Sequence, residues 1–247
     1  MTSGVPLETT APPKTREWKF WATILWVAAS VAAFFIVGVL LVLPLLGMLP
    51  SELKSHPLTN AVGWLIPWFG ALGVFALAIR LTGIGMRDYL ALVPPRLPDI
   101  GIGLAGLVVL LVAMWLLYTT ENAPSPSLLD PYRRAVTEGS WPQLLFEGVV
   151  VAPVAEELLF RGFLYHGWAA SRIGPTGAIV LTSAAWMIIH TQKNWLGLTY
   201  IFGVGLLYGS IRRWSGSTAT TVILHCINNA LIAGYLLIVT ALGWLDT

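Results

Sequence analysis

Glutamate, arginine, histidine and asparagine recur at a few places where the rest of the sequence is almost wholly apolar. The stretch APVAEELLFRGFLYHG, Ala152 to Gly167, carries Glu156, Glu157 and Arg161. His190 closes the run TSAAWMIIH. His225 lies in TVILHCINNALIAG with Asn228 and Asn229 three and four residues on, hence on its own helical face. A carboxylate with an imidazole can take a proton from water, and a second histidine with an asparagine can donate hydrogen bonds to a developing oxyanion. Such a set hydrolyses an amide without a covalent intermediate. Glutamate and two histidines are also acceptable zinc ligands, although the tight His-Glu-x-x-His spacing is absent and asparagine is a poor zinc ligand. Two other uses stand beside these: a Glu–His proton relay in a transporter, and packing or partner binding in a membrane factor that catalyses nothing. The concentration of motifs in one half of the chain argues against the transporter.

Helical geometry separates the two glutamates. Glu157 and Arg161 are four residues apart and share a face, so they can pair. Glu156 is rotated by about 140° from Arg161 and points elsewhere. Pro153 lacks a backbone donor, which in an α-helix leaves the Val149 carbonyl unpaired and tends to kink the chain. The remaining candidates read as ordinary residues. Cys226, the single cysteine, excludes an intrachain disulfide and reads as a small buried side chain. Glu147 and His166 read as interface residues, and His56 as a loop residue.

The elements that must position these groups are membrane spans. Of 247 residues, 56% are apolar and only 11% are Asp, Glu, Lys or Arg, too few charges to cover a water-soluble surface. Apolar segments fall at 20–48, 58–80, 101–119, 142–171, 175–190, 195–212 and 217–244, joined by short connections such as LPSELKSHP, VPPRLPD, ENAPSPS, IGP and WSGS. They predict an all-α, polytopic transmembrane helical bundle of seven spans, or eight if the last breaks near Gly234. Residues 1–17 read as a disordered cytoplasmic tail and 18–247 as one membrane-embedded domain. Lys14, Arg16 and Lys19 precede the first apolar run, which is too long for a signal-peptide core and reads as an uncleaved span.

Loops on the side of the N-terminus hold nine Lys or Arg and the opposite loops four, which places the N-terminus in the cytoplasm. Trp18, Trp141, Trp195, Trp214 and Trp244 stand near span ends as interfacial anchors. A net charge of +2 offers nucleic acid no footprint. The partner implied by composition is the lipid bilayer, and oligomeric state is left open. Counting 1.5 Å per residue from the span ends puts Glu156 about 22 Å from the outer boundary and His225 about 12 Å from the inner one. These are similar depths across a core of about 30 Å, whereas His190 comes out farther outward.

Three motifs in order resemble a known family. EELLFR is similar to the Glu-Glu-x-x-x-Arg motif of the CPBP superfamily, which includes the Ras-converting type of CAAX prenyl endopeptidase and bacterial Abi proteins. WMIIH resembles its Phe-x-x-x-His motif, with Trp186 in place of Phe, and HCINN its His-x-x-x-Asn motif. The stretch GVGLLYGSIRRWSGSTATTVILH resembles the family's Gly-rich helix, short loop and His-bearing helix, so the likeness covers residues 142–235. It implies an intramembrane glutamic endopeptidase acting on a membrane-associated peptide or protein, with no cofactor, no obligatory metal and no nucleophilic side chain. By position, Glu156 and His190 would activate water and His225 with Asn229 would hold the oxyanion. Glu157, Arg161, Trp186 and Asn228 would support them. The short loops suggest a bacterial cytoplasmic-membrane member, in which the prenylated substrate of eukaryotic relatives need not apply.

Overall fold

A computed structural model describes residues 17–54, 57–120, 126–190 and 194–243. The first sixteen residues, His56, Lys193 and Trp244 lie outside the described residues, and with them most of the expected tail and one expected anchor. Among the described residues there is helix and no strand. Apolar chain in hydrocarbon must satisfy its backbone polar groups internally, and a helix does so segment by segment.

Each of the seven apolar segments forms a helix. Helix α1 runs Phe20–Met48 with a π-helical stretch at Gly38–Val42. After the short α2 (Ser51–Lys54) comes α3 (Pro57–Arg80), then one turn of α4 (Met86–Tyr89) and α5 (Leu97–Thr120). Helix α7 is a continuous rod over 141–169, followed by α8 (Gly174–Ile188), α9 (Trp195–Ser215) and α10 (Thr218–Ala241). Helix α10 passes through Gly234 without a break. Three of these helices, over Phe20–Met48, Leu97–Leu117 and Thr218–Ala241, are long and apolar enough to cross a membrane by length and composition. Ile66–Arg80 and Gly174–Ile188 are shorter apolar helices.

Besides the single turns α2 and α4, one longer helix was not anticipated. Helix α6 (Pro126–Glu138) fills part of what reads as a connection. Leu129 and Tyr132 on α6 pack on Ile232, Leu236 and Val239 of α10, while Asp130 and Arg134 are exposed. This division into an apolar and a polar face makes α6 amphipathic.

The described chain falls into two compact units. The first holds residues 17–18 and Ile24–Met86. In it, a Cβ on Gly70 of α3 would lie 2.6 Å from Cγ2 of Val37 on α1, so the two helices meet where the side chain is missing. The Trp18 indole donates to the Ala78 carbonyl at 2.6 Å.

The second unit holds Lys19–Thr23 and everything described from Arg87 onward. Small residues again set the spacing. On α9, a Cβ on Gly205 would come within 2.8 Å of the Ser183 Cβ on α8, and one on Gly209 within 2.9 Å of Ile179. Gly106 on α5 leaves room for Leu207 of α9 in the same way. Local signals end and start these helices. Gly216 takes a left-handed φ of 68° after α9, and the Ser217 hydroxyl caps α10 by accepting from the Thr220 amide at 3.1 Å.

Candidate active site

Helix α7 carries the glutamates, and it is not a plain α-helix. It alternates α-helix (Trp141–Phe146), π-helix (Glu147–Val151), α-helix (Ala152–Glu157), π-helix (Leu158–Leu164) and α-helix (Tyr165–Ala169). The first π turn adjoins Pro153. Ala152 donates to the Glu147 carbonyl, five residues back, and the next nitrogen in that register is the hydrogen-free one of Pro153. The carbonyl taken up by a side chain is consequently that of Gly148, one residue before the Val149 carbonyl expected from α-helical counting.

Glu157 and Arg161 pair as their spacing predicts. Arg161 Nη1 donates to Glu157 Oε1 at 2.9 Å, and neither side chain has any exposed surface. The guanidinium makes one further hydrogen bond, from Nη2 to the Gly205 carbonyl at 3.2 Å. The guanidinium carbon lies 4.7 Å from the centre of the Trp186 ring and 5.6 Å from that of Tyr208. A buried ion pair is costly unless its remaining polar capacity is met. Here a carbonyl and two aromatic faces meet part of it, while Glu157 Oε2 and Arg161 Nε have no hydrogen-bond partner among the described residues. His225 completes the cluster with Nδ1 at 3.0 Å from Glu157 Oε1. A carboxylate oxygen only accepts, so Nδ1 carries the hydrogen and Nε2 faces away from Glu157.

Glu156 points to a different side of α7, as its position one residue earlier requires. Its Oε2 accepts a 2.6 Å hydrogen bond from the Trp186 indole and lies 3.9 Å from His225 Nε2. Glu156 is partly exposed, with 22% of its side chain accessible. His225 therefore stands between the two glutamates, its two ring nitrogens turned to one each. Trp186 also receives His190: Nδ1 of that ring is 2.8 Å from the Trp186 carbonyl. A carbonyl cannot donate, so His190 is protonated at Nδ1 and offers Nε2 as the free nitrogen. The Trp186 ring meets His225 and His190 edge-on, at 5.1 and 5.6 Å between centres.

The asparagines of α10 occupy the adjoining turn. Asn228 accepts from the Tyr200 hydroxyl at 2.5 Å, tying α9 to α10. Asn229 Nδ2 donates to the Gly148 carbonyl at 2.8 Å, and its Oδ1 lies 3.4 Å from Asn228 Nδ2.

The structure thus brings Glu156, Glu157, Arg161, Trp186 and His225 into one cluster from α7, α8 and α10. His190 joins it through Trp186 rather than through a bond to Glu156, and Asn228 and Asn229 adjoin it through Tyr200 and Gly148. Tyr200, Tyr208 and Gly205 belong to the same network and do not stand out in the sequence, where they read as packing residues of an apolar helix. The signal available for Tyr200 was a tyrosine hydroxyl in an apolar helix, which calls for a polar partner, whereas the buried Tyr208 hydroxyl has no hydrogen-bond partner among the described residues.

Of the residues set aside in the sequence, Cys226 is half-buried rather than buried as expected. Glu147 is exposed and accepts from Gln143 at 2.8 Å. The His166 ring stacks on Tyr89 at 4.2 Å. Among the described residues, no group of three or more His, Cys, Asp or Glu is disposed to hold a metal ion.

No curated protein and no solved structure matches the chain. The segment that matches a family model, residues 138–231, runs from the end of α6 through His225 and Asn229 of α10 and takes in every residue of the cluster. That model describes the Rce1-like Type II CAAX prenyl endopeptidases, and over this segment the chain is similar to them, in keeping with the three motifs.

Proposed function

We propose that the protein is an intramembrane glutamic endopeptidase that hydrolyses a peptide bond in a membrane-associated protein or peptide. One observation carries the reading above all: Glu156 is held by the Trp186 indole at 2.6 Å while the neighbouring Glu157 is spent on Arg161 and His225. Two adjacent carboxylates so treated have separate tasks. Glu156, with partial access, is the base that takes a proton from water. His190 shares that work through Nε2, the nitrogen left free by its bond to the Trp186 carbonyl.

Attack of that water on the scissile carbonyl generates an oxyanion. His225 Nε2 and the second amide hydrogen of Asn229 are its donors. With Nδ1 committed to Glu157, His225 presents a hydrogen at Nε2 only as the imidazolium, for which Glu157 is the adjacent counter-charge. Arg161 orients Glu157 for that task through its 2.9 Å bond, and Trp186 and Asn228 hold the first-named groups in place. No metal or nucleophilic side chain enters these steps.

The domain of this activity is the membrane-embedded chain from residue 18 onward, with its catalytic core at 142–235. The seven long or apolar helices are its spans, the N-terminus is cytoplasmic, and the membrane is a bacterial cytoplasmic one. The loop charges and the exposed Trp141, Trp195 and Trp214 support that placement.

The test is cleavage of a peptide panel by purified protein in detergent or liposomes, wild type against Glu156→Gln, with and without chelator. The expected result is cleavage by the wild type, loss in the variant and indifference to chelator. Retained cleavage by Glu156→Gln removes this residue from the chemistry. Loss on chelation that zinc restores replaces the reading with a metalloprotease, and no cleavage of any peptide replaces it with a non-enzymatic membrane factor.

A further inference from the structure

The two π turns of α7 share a feature that nothing in the proposed chemistry uses: each has a carbonyl met by a side chain from another helix. At the first, the acceptor is Gly148 and the donor Asn229. At the second, the Arg161 carbonyl accepts from Nε of Arg212 at 3.1 Å. Arg212 stands in the last turn of α9 and is only 8% exposed. No carboxylate pairs with it among the described residues. A cation withdrawn from water without a counter-charge is unfavourable, so its burial needs another reason.

Its contacts supply one. The same Nε lies 3.0 Å from Thr218 Oγ1, and that hydroxyl donates to the Leu90 carbonyl at 2.6 Å. The guanidinium sits over the Tyr165 ring at 5.2 Å. Arg212 thus joins the end of α9, the start of α10 and the second π turn through a single nitrogen.

We propose that Arg212 is a positioning residue for Glu156 and Glu157, holding the second π turn through the Arg161 carbonyl as Asn229 holds the first through Gly148. A π turn accommodates one more residue than an α turn. Relaxing one into α geometry would turn one end of α7 against the other by about 100° and shift it by about 1.5 Å. Glu156 and Glu157 lie between the two π turns, so their direction toward Trp186 and His225 depends on both being kept.

The kinetic consequence rests on the peptidase reading; the structural one does not. The test compares Arg212→Gln, Arg212→Lys and Arg212→Met in the full chain. Gln places an N–H donor at the same number of bonds from Cα as Arg Nε. Lys keeps the charge but has a methylene there, and Met keeps neither. A role as donor to the Arg161 carbonyl leaves Gln close to wild type. Met and Lys then lose kcat by about 100-fold, the effect of misplacing reacting groups by about 1 Å, with KM little changed.

Amide hydrogen exchange over peptides covering 158–168 gives the second readout: faster in Met and Lys, unchanged in Gln. The proposal is overturned if Lys is wild-type-like while Gln behaves as Met, which makes the role one of charge, or if exchange is the same in all three. Should Met and Lys fail to fold, Gln decides alone, native exchange supporting the proposal and rapid exchange refuting it. A wild type that cleaves nothing sinks the peptidase reading, and exchange still decides the role of Arg212.

Discussion

Replacing Arg161 by Met and Glu157 by Gln, singly and together, measures how strongly the buried pair is coupled. Both side chains are fully buried and their nearest atoms are 2.9 Å apart. With charge centres about 4 Å apart and an effective dielectric of about 20, their attraction is about 4 kcal/mol. Arg161 adds its bond to the Gly205 carbonyl and its place over Trp186, the latter contributing up to about 2 kcal/mol when desolvated. Removing either partner leaves the other as a buried, uncompensated charge, at a cost of about 3–5 kcal/mol. The double variant leaves no such charge. It is expected to lose less than the sum of the singles, with a coupling of about 3 kcal/mol, at the upper end for groups in direct contact. The assay is reversible unfolding in mixed micelles with increasing dodecyl sulfate, followed by circular dichroism. Single variants that each lose under about 1 kcal/mol, as an exposed pair would, refute the reasoning, and so does a double variant equal to the sum.

Two further outcomes follow from particular contacts. Trp186→Phe keeps a large aromatic ring but removes the 2.6 Å bond to Glu156. A hydrogen bond to a charged group is worth about 1.5–3 kcal/mol, so steady-state cleavage should show kcat lowered between about 10- and 150-fold, and an unchanged kcat denies the indole that role. Gly209→Ala places a Cβ 2.9 Å from Ile179, whose branched side chain yields little, whereas Gly234→Ala meets nothing within 4 Å. Thermal unfolding in detergent should show the first destabilised by about 1–3 kcal/mol and the second unchanged or slightly stabilised.

The helices were largely legible because an apolar helix announces itself by length and hydropathy: all seven apolar segments form helices close to their expected limits, three of them long and apolar enough to cross a membrane. Helix α6 was hidden by its neighbours: the prolines and serines of ENAPSPS read as a connection, and its short apolar face becomes informative only with Leu236 and Val239 of α10 beside it. The Glu157–Arg161 pair was legible because a spacing of four residues is a local property. The π turns were not, since the choice of turn type depends on Asn229 and Arg212, which are distant in sequence. Trp186 was visible as a departure from the family's Phe, yet its consequence lies in an N–H whose direction only the packing of α8 on α9 determines. The depth counted for His190 assumed straight helices measured from their ends. That residue stands beyond the last residue of α8, in the turn after Ile188, and reaches the cluster by way of the Trp186 carbonyl.

Gly205 gives this arrangement a vulnerability of its own. The absent side chain lets Ser183 of α8 approach α9, and the same residue's carbonyl receives Arg161. Steric room and charge placement are therefore set at one backbone position rather than at two that could vary separately. A larger residue there would push α8 outward, carrying Trp186 away from Glu156, and would disturb the acceptor on which Arg161 rests. Selection at this site acts on size while its effect is electrostatic, so compensation requires a paired change at Ser183 and not merely a new partner for the arginine.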